Sequence, residues 1–307
     1  MDVKGLFGFE NKNVVITGAG SGMGKAAAKL LAELGANVYA TVRSKPLDFA
    51  VAKEIRTDFS RPEAVREVAD QVPEEIEALF ICHGISDKPG RTNAMEVQLT
   101  NYFSFQCLTE ALKPRIADNG SVTFISSNGG KEWRAHIPEC EAVLACASWE
   151  EAVSWYEAHP ESTGRGYVFA KECQNFYVMS KAYTPEYTER RIRLNAIAPG
   201  FTITGLSDDF NKSINGDVQF GKNVLENLYL GSWNGRAAMP KEMGHPLVAL
   251  GSKICSYVSG QVLYIDYGNA SAWEIQSLKE GRSHLLKRSN RHRRGIKFSN
   301  RSSGSSR

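Results

Sequence analysis

Between residues 10 and 270, short runs of apolar and β-branched residues alternate with longer segments whose apolar positions recur every three or four residues. The short runs read as strands of a parallel sheet buried on both faces, and the longer segments as the helices that cover it. Seven strands are predicted, at 13–17, 37–42, 54–57, 78–82, 121–126, 193–198 and 261–265. A helix over 24–34 stops at Gly35, a second over 96–115 precedes the fifth strand, and Ser60-Arg61-Pro62-Glu63 reads as a cap with proline in the first turn. One unbroken strand–helix series, with no internal repeat, predicts an α/β fold built as a single doubly wound domain around a seven-stranded parallel sheet. Its expected extent is 1–280.

Two segments interrupt the alternation. One, 129–166, is an insertion rich in Trp and Glu, including Trp133, Trp149 and Trp155; the other is the Gly- and Asn-containing stretch 201–239. Both follow the carboxyl ends of strands, where ligands sit in open α/β sheets, so the insertion is expected on the substrate side. Its tryptophans point weakly to a bulky, apolar or aromatic substrate.

Charge changes the picture only at the end of the chain. The formal net charge is +3, yet residues 281–307 carry nine of the 37 basic residues and no acid, leaving 28 basic against 34 acidic residues before them. The basic character therefore belongs to 281–307, expected to be a disordered tail rather than a nucleic-acid-binding arm. Six scattered cysteines, without CxxC pairs or metal-ligand spacing, read as reduced thiols and imply no metal site. No apolar run approaches membrane length and Met1-Asp2-Val3-Lys4 opens no secretory signal, so a cytoplasmic protein is expected.

The chemistry begins at Thr17-Gly18-Ala19-Gly20-Ser21-Gly22-Met23-Gly24, which leaves the first strand and opens the first helix. Backbone can approach a pyrophosphate closely where no Cβ intervenes, and the helix N-terminus holds the anion. The spacing is TGxxxGxG, with Gly18, Gly22 and Gly24. At the end of the second strand, where a carboxylate would bind an adenosine ribose, the chain reads Val42-Arg43-Ser44-Lys45 with no acid until Asp48. Arg43 and Ser44 suit a 2′-phosphate, which favours NADP(H) over NAD(H). Asp58 is a candidate acceptor for the adenine amine, or a capping residue beside Ser60.

Tyr167 and Lys171 lie four residues apart, on one face of a helix. An ammonium beside a phenol should lower the phenol's pKa from about 10 toward neutrality and fit it for general acid/base work. Tyr177 and Lys181 repeat the spacing, but a helix of about 20 residues fits between Tyr167 and the next strand and not after Tyr177, which reads as a packing residue. Ser127, at the exit of the fifth strand, can hold a substrate carbonyl against the phenol. Asn101, inside a predicted helix where its propensity is poor, reads as a buried polar group, for example one bridging to Lys171 through water. His83, His136, His159 and His245 look incidental.

Taken in order, Thr17-Gly18…Gly22-Met23-Gly24, Asn101, Ser127, Tyr167…Lys171 and Asn195-Ala196-Ile197-Ala198-Pro199-Gly200 resemble the short-chain dehydrogenase/reductase superfamily, over about residues 8–270. The glycine spacing is similar to its compact branch. The resemblance implies a Rossmann-type domain, a catalytic tetrad of Asn101, Ser127, Tyr167 and Lys171, and an alcohol–carbonyl interconversion in which Tyr167 protonates the carbonyl as NADPH delivers hydride. It implies a cofactor site of Gly18, Ser21, Gly22, Met23, Gly24, Arg43, Ser44, Asp58, Phe59, Cys82, His83 and Gly84. Tyr167, Lys171, Pro199, Thr202 and Thr204 complete it, with Thr204 on the nicotinamide carboxamide. Ile81-Cys82-His83-Gly84 departs from the usual Asn-Asn-Ala-Gly, and Asp266-Tyr267-Gly268 stands for Asp-Gly-Gly. The long insertion is similar to that of bacterial 3α-hydroxysteroid dehydrogenase/carbonyl reductases and coniferyl-alcohol dehydrogenases. There it covers a helix face used for tetramers, so a homodimer is favoured, with a tetramer as the alternative. The competing readings are an NAD(H)-dependent alcohol dehydrogenase and a dinucleotide-sensing regulatory protein.

Overall fold

A computed structural model describes residues 3–87, 90, 92–205 and 236–279. The strands are β1 (Asn13–Ile16), β2 (Asn37–Val42), β3 (Lys53–Arg56), β4 (Ile76–Ile81), β5 (Ile116–Ile125), β6 (Arg193–Pro199) and β7 (Val262–Ile265). All seven pair in parallel, in the order β3-β2-β1-β4-β5-β6-β7. The chain winds outward from β1 in one direction, then restarts at β4 and winds in the other. The crevice this reversal opens lies between the carboxyl ends of β1 and β4.

Neighbouring strand residues divide between two cores, as the pleat requires. Val15, Leu79, Ile81, Val122 and Phe124 face one, and Val14, Ile16, Ala78, Phe80 and Ile197 the other. The helices are α1 (Val3–Phe7), α2 (Gly22–Glu33), α3 (Ala64–Ala69), α4 (Ala94–Gln98), α5 (Ser104–Leu112), α6 (Ile137–Leu144), α7 (Trp149–Ala158), α8 (Pro160–Gly164), α9 (Gly166–Lys181), α10 (Pro185–Thr188), α11 (Pro240–Gly251) and α12 (Asn269–Lys279). Ala27, Ala28 and Leu31 of α2 and Met243, Leu247 and Val248 of α11 fill the second core; α3, α5 and α9 fill the first.

Two sequence expectations are modified. The helix predicted over 96–115 is one helical stretch with a π turn, Leu99–Phe103, between α4 and α5, and a 3-10 turn at Lys113–Arg115. Pro62 precedes α3 instead of entering it, because the Asp58 carboxylate accepts the Ser60 N–H at 3.0 Å and holds a separate turn. The chain also divides into two compact units, Met1–Tyr267 and Gly268–Arg307, so α12 belongs to the second unit. The expected tail, 281–307, and most of 201–239 lie outside the described residues. Among the described residues no helix is long and apolar enough to cross a membrane.

The insertion is helical and packed. Cys140 and Val143 of α6 and Ala152 and Tyr156 of α7 join the first core. Trp149 meets Phe103 edge-on at 5.8 Å, Trp155 stacks on His159 at 4.2 Å and lies 6.0 Å from Phe169, and Trp133 lies 6.1 Å from Phe176. These tryptophans are spent on the helix layer, which removes their value as a sign of an aromatic substrate. The insertion is also latched by charge. Arg165 donates to Glu172 Oε1 at 2.6 Å, and His136 Nδ1 lies 3.1 Å from Glu172 Oε2. Burial raises the Glu172 carboxyl to about 7 despite the Arg165 hydrogen bond.

A carboxyl raised on folding favours the folded state fully below its unfolded pKa, and that advantage is lost as pH rises through the folded value. Melting measured from pH 5 to 8 should therefore show wild type losing stability relative to Glu172→Gln as pH rises. Parallel curves would contradict the burial of an acidic proton there.

Candidate active site

The glycine turn is built as the spacing requires. Gly18 and Gly22 have φ of +66° and +57°, a region that suits residues without Cβ. A Cβ on Gly24 would lie 2.4 Å from the Gly18 carbonyl oxygen, and one on Gly20 would lie 2.8 Å from that of Lys45. The backbone is thus brought close to the opening of α2, leaving a cradle that side chains would fill. Across it, Thr204 Cγ2 comes within 3.5 Å of where a Gly22 Cβ would stand.

A groove of about 300 Å³ runs from this turn along the ends of β2, β3 and β4. Gly18, Ser21, Gly22, Met23, Gly24, Arg43, Ser44, Asp58, Phe59, Cys82, His83, Gly84 and Thr204 line it. Gly20, Thr41, Lys45, Ile85 and Thr100 line it as well, and sequence reasoning passed over them. Lys45 was legible as the next cation after Arg43; Ile85 and Thr100 carried no signal. Pro199 ends β6, and Thr202 is buried with its hydroxyl on the Gly200 carbonyl at 3.1 Å. Neither is among the groove's lining residues. Arg43 and Ser44 are exposed, and the nearby Asp48 is occupied by Lys25 at 2.8 Å.

His83 is far from incidental. Its ring stacks on Phe59 at 3.8 Å, with Nδ1 2.8 Å from Thr17 Oγ1 and Nε2 2.9 Å from Ser104 Oγ. Ser104 donates its own proton to the Thr100 carbonyl, so it accepts from Nε2–H, and Nδ1 accepts from Thr17. The same Thr17 oxygen accepts the Cys82 N–H at 3.0 Å. Burial, then the nearby Lys171 charge, depress His83 to about 3, so it is a neutral strut joining β1, β4 and α5.

Ser127, Tyr167 and Lys171 meet where β5 ends against α9. Gly166 begins α9 at φ +49°, and Gln98 of α4 donates to its carbonyl at 2.6 Å. The Tyr167 N–H reaches the half-buried carboxylate of Asp87 at 3.3 Å. The Ser127 hydroxyl hydrogen-bonds the Tyr167 phenol and accepts the Gly129 N–H at 3.1 Å. Lys171 is 4% exposed; its Nζ lies 5.4 Å from the Tyr167 ring centre and donates to the Ile125 carbonyl and to Gln174 Oε1, each at 2.9 Å. Ser126, the other hydroxyl of the pair, turns to α9 and bonds Asn175 at 2.6 Å.

One expectation is corrected here. The phenol is not acidified: burial raises Tyr167 to about 12, against the lowering hydrogen bond from Ser127, with Asp87 raising it further. Burial likewise lowers Lys171 to about 7, against a smaller raising influence of Cys82. Asn101 is a fully buried polar group, as expected, and its side chain engages Ile85. Its amide donates to the Ile85 carbonyl at 2.8 Å and accepts the Ile85 N–H at 2.7 Å, and its main-chain carbonyl accepts from Gln174 at 2.7 Å. Tyr177 is a buried strut, with its hydroxyl 2.8 Å from Glu110 and 3.0 Å from Tyr187.

Comparison with known proteins bears directly on this geometry. The family profile described as short chain dehydrogenase matches residues 12–139, and that described as enoyl-(acyl carrier protein) reductase matches 167–270. A coniferyl-alcohol dehydrogenase of a Pseudomonas species is 31% identical over 201 residues, covering 65% of this chain and 76% of that protein. The chain belongs to the short-chain dehydrogenase/reductase family. The unmatched stretch between the two profiles falls inside the insertion. The 3-alpha-hydroxysteroid dehydrogenase/carbonyl reductase of Comamonas testosteroni is 25% identical over 256 residues, 83% of this chain and 95% of that one. In fold, the crystal structure of a Pseudomonas 3-alpha-hydroxysteroid dehydrogenase complexed with NADH superposes with a TM-score of 0.67 at 23% identity, over 88% of this chain and 99% of that one. As a family member the protein is an NAD(P)-dependent oxidoreductase acting on alcohol or carbonyl groups. The glycine cradle, closed to Cβ atoms and open to a groove, fits the dinucleotide this chemistry needs.

Proposed function

We propose that this enzyme is an NADP(H)-dependent reductase and dehydrogenase that interconverts a bulky apolar or aromatic alcohol and its ketone or aldehyde. The observation that carries the reading is the convergence of Ser127, Tyr167 and Lys171, with the Lys171 charge acting on His83 in the lining of the dinucleotide groove. A bound nicotinamide would supply or accept hydride there. The chain's own part is proton handling. Tyr167, held protonated by burial, gives its proton to the carbonyl oxygen in reduction and takes it back in oxidation. Ser127 donates to the phenol oxygen and steadies the phenolate formed. Lys171, poised at about 7, stabilises that phenolate when charged and can return a proton to it.

NADP(H) is favoured by Arg43 and Lys45, exposed cations on the groove with no ion pair among the described residues. The substrate class rests on the coniferyl-alcohol and 3-alpha-hydroxysteroid relatives, not on the insertion's tryptophans. The insertion covers the outer side of α9, which supports a homodimer before a tetramer. The six unpaired cysteines suit a reducing, cytoplasmic setting. An NAD(H)-dependent enzyme is the second reading, favoured if Arg43 stays in solvent.

Turnover of a panel of ketones and aldehydes, followed by NADPH fluorescence, tests the assignment. Tyr167→Phe should lose about a thousandfold in turnover with cofactor affinity retained, whereas Tyr177→Phe should stay active and melt lower. Loss of activity in Tyr177→Phe alone would contradict the site. Arg43→Ala should weaken NADPH about tenfold or more and leave NADH nearly unchanged; equal effects on both cofactors would favour the second reading.

A further inference from the structure

The amine of Lys171 is held by two acceptors, and only one of them is a side chain. Ile125 offers its carbonyl from the end of β5, and Gln174 offers Oε1 from one turn further along α9. The other end of that amide, Nε2, donates to the main-chain carbonyl of Asn101 at 2.7 Å, inside the π turn. Gln174 is 1% exposed and Asn101 fully buried, so both bonds are shielded from water. A water was expected in this position. The bridge demands a residue that accepts at one end and donates at the other, which an amide does. A methionine would fill the volume and do neither; a glutamate would accept from the amine and offer nothing to the carbonyl.

We propose that Gln174 is a positioning residue for the reaction, tying the Lys171 amine to the π turn so that it stays aimed at Tyr167. The proposal rests on the reading of Tyr167 and Lys171 as the proton-handling pair. Gln98, the last residue of α4, makes a second tie eight residues earlier on α9, through the Gly166 carbonyl. Together the two amides fix α9 against α4 and the π turn that follows it, at the start of α9 and beside Lys171. A π turn interrupts the regular helical ladder and commonly marks a functional position. Here it presents the Asn101 carbonyl to Gln174.

Among the described residues, the charged and titratable groups around Lys171 are few. Cys82 and His83 face it from beyond β4, and both favour their neutral forms through burial. Asp87 sits at the start of α9 against the Tyr167 N–H. Glu172 is held by Arg165 on the insertion side. From β5 and the residues after it come only the Ile125 carbonyl and the hydroxyls of Ser126 and Ser127. Among the described residues, the Gln174 oxygen is the side-chain acceptor that hydrogen-bonds the amine.

The test uses the full chain without cofactor, carrying carbon-13-labelled lysine, with the Lys171 Cε resonance assigned by its loss in Lys171→Met. The wild-type midpoint is expected near 7. Gln174→Met removes an acceptor from the charged form, so the midpoint should fall by about one pH unit. Gln174→Glu places a carboxylate on the amine, so it should rise by a similar amount. Alkaline loss of ketone reduction should move with the midpoint in each variant. An unmoved Gln174→Met midpoint, or two displacements in the same direction, would overturn the bridge. If melting shows that Gln174→Met does not fold, Gln174→Glu decides alone: a midpoint not raised overturns the proposal. If Tyr167→Phe keeps its turnover, the reading of the site fails while the titration still judges the bridge. If Tyr167→Phe is inactive and the midpoints stay put, the bridge alone fails.

Discussion

Water is kept from the Lys171 amine and in part from the Tyr167 phenol, and the rest of the site depends on that shielding. Burial holds the proton on Tyr167 and loosens the one on Lys171. The pair thus stores a proton on the oxygen and keeps the amine near the point of exchange. Each group alone would be a costly thing to bury. What makes it tolerable is that the buried amine and the amides beside it on α9 have partners: Lys171 on Ile125 and Gln174, Gln174 on Asn101, Asn175 on Ser126 and the Gly130 carbonyl. A parallel sheet covered on both faces supplies the dry setting, and the carboxyl ends of its strands supply the carbonyls and hydroxyls that meet the helix.

The same logic places the insertion. Its helices cover the outer side of α9 with Cys140, Val143, Ala152 and Tyr156, and Glu172 anchors them through Arg165. Glu172 directly follows Lys171, so one helix carries a proton-handling group toward the groove and a buried acid toward the insertion. The insertion acts as a wall that keeps α9 dry on the side away from the sheet.

Much of this was legible before the structure. The seven strands were readable because a parallel sheet writes its burial as short β-branched runs, and Tyr167 was separable from Tyr177 by the length of helix each leaves before β6. The glycine turn was readable because only a strand-to-helix junction with close backbone needs that spacing. What escaped reading depends on partners distant in sequence. The bond between Asn101 and Gln174 spans 73 residues, and the strut role of His83 needs Thr17 and Ser104 at once. The tryptophans were ambiguous because burial cannot be told from ligand lining in a single chain. The acidity of Tyr167 was misread because spacing shows the attracting charge and conceals the loss of solvent, which is the larger effect.

That last point is open to direct measurement. Ultraviolet titration of the cofactor-free protein, taken as the difference between wild type and Tyr167→Phe, isolates the ionisation of this one phenol. The account predicts no tyrosinate signal from Tyr167 until well above the ordinary tyrosine range. A signal appearing near neutral pH would contradict it, and would show the ammonium of Lys171 prevailing over burial.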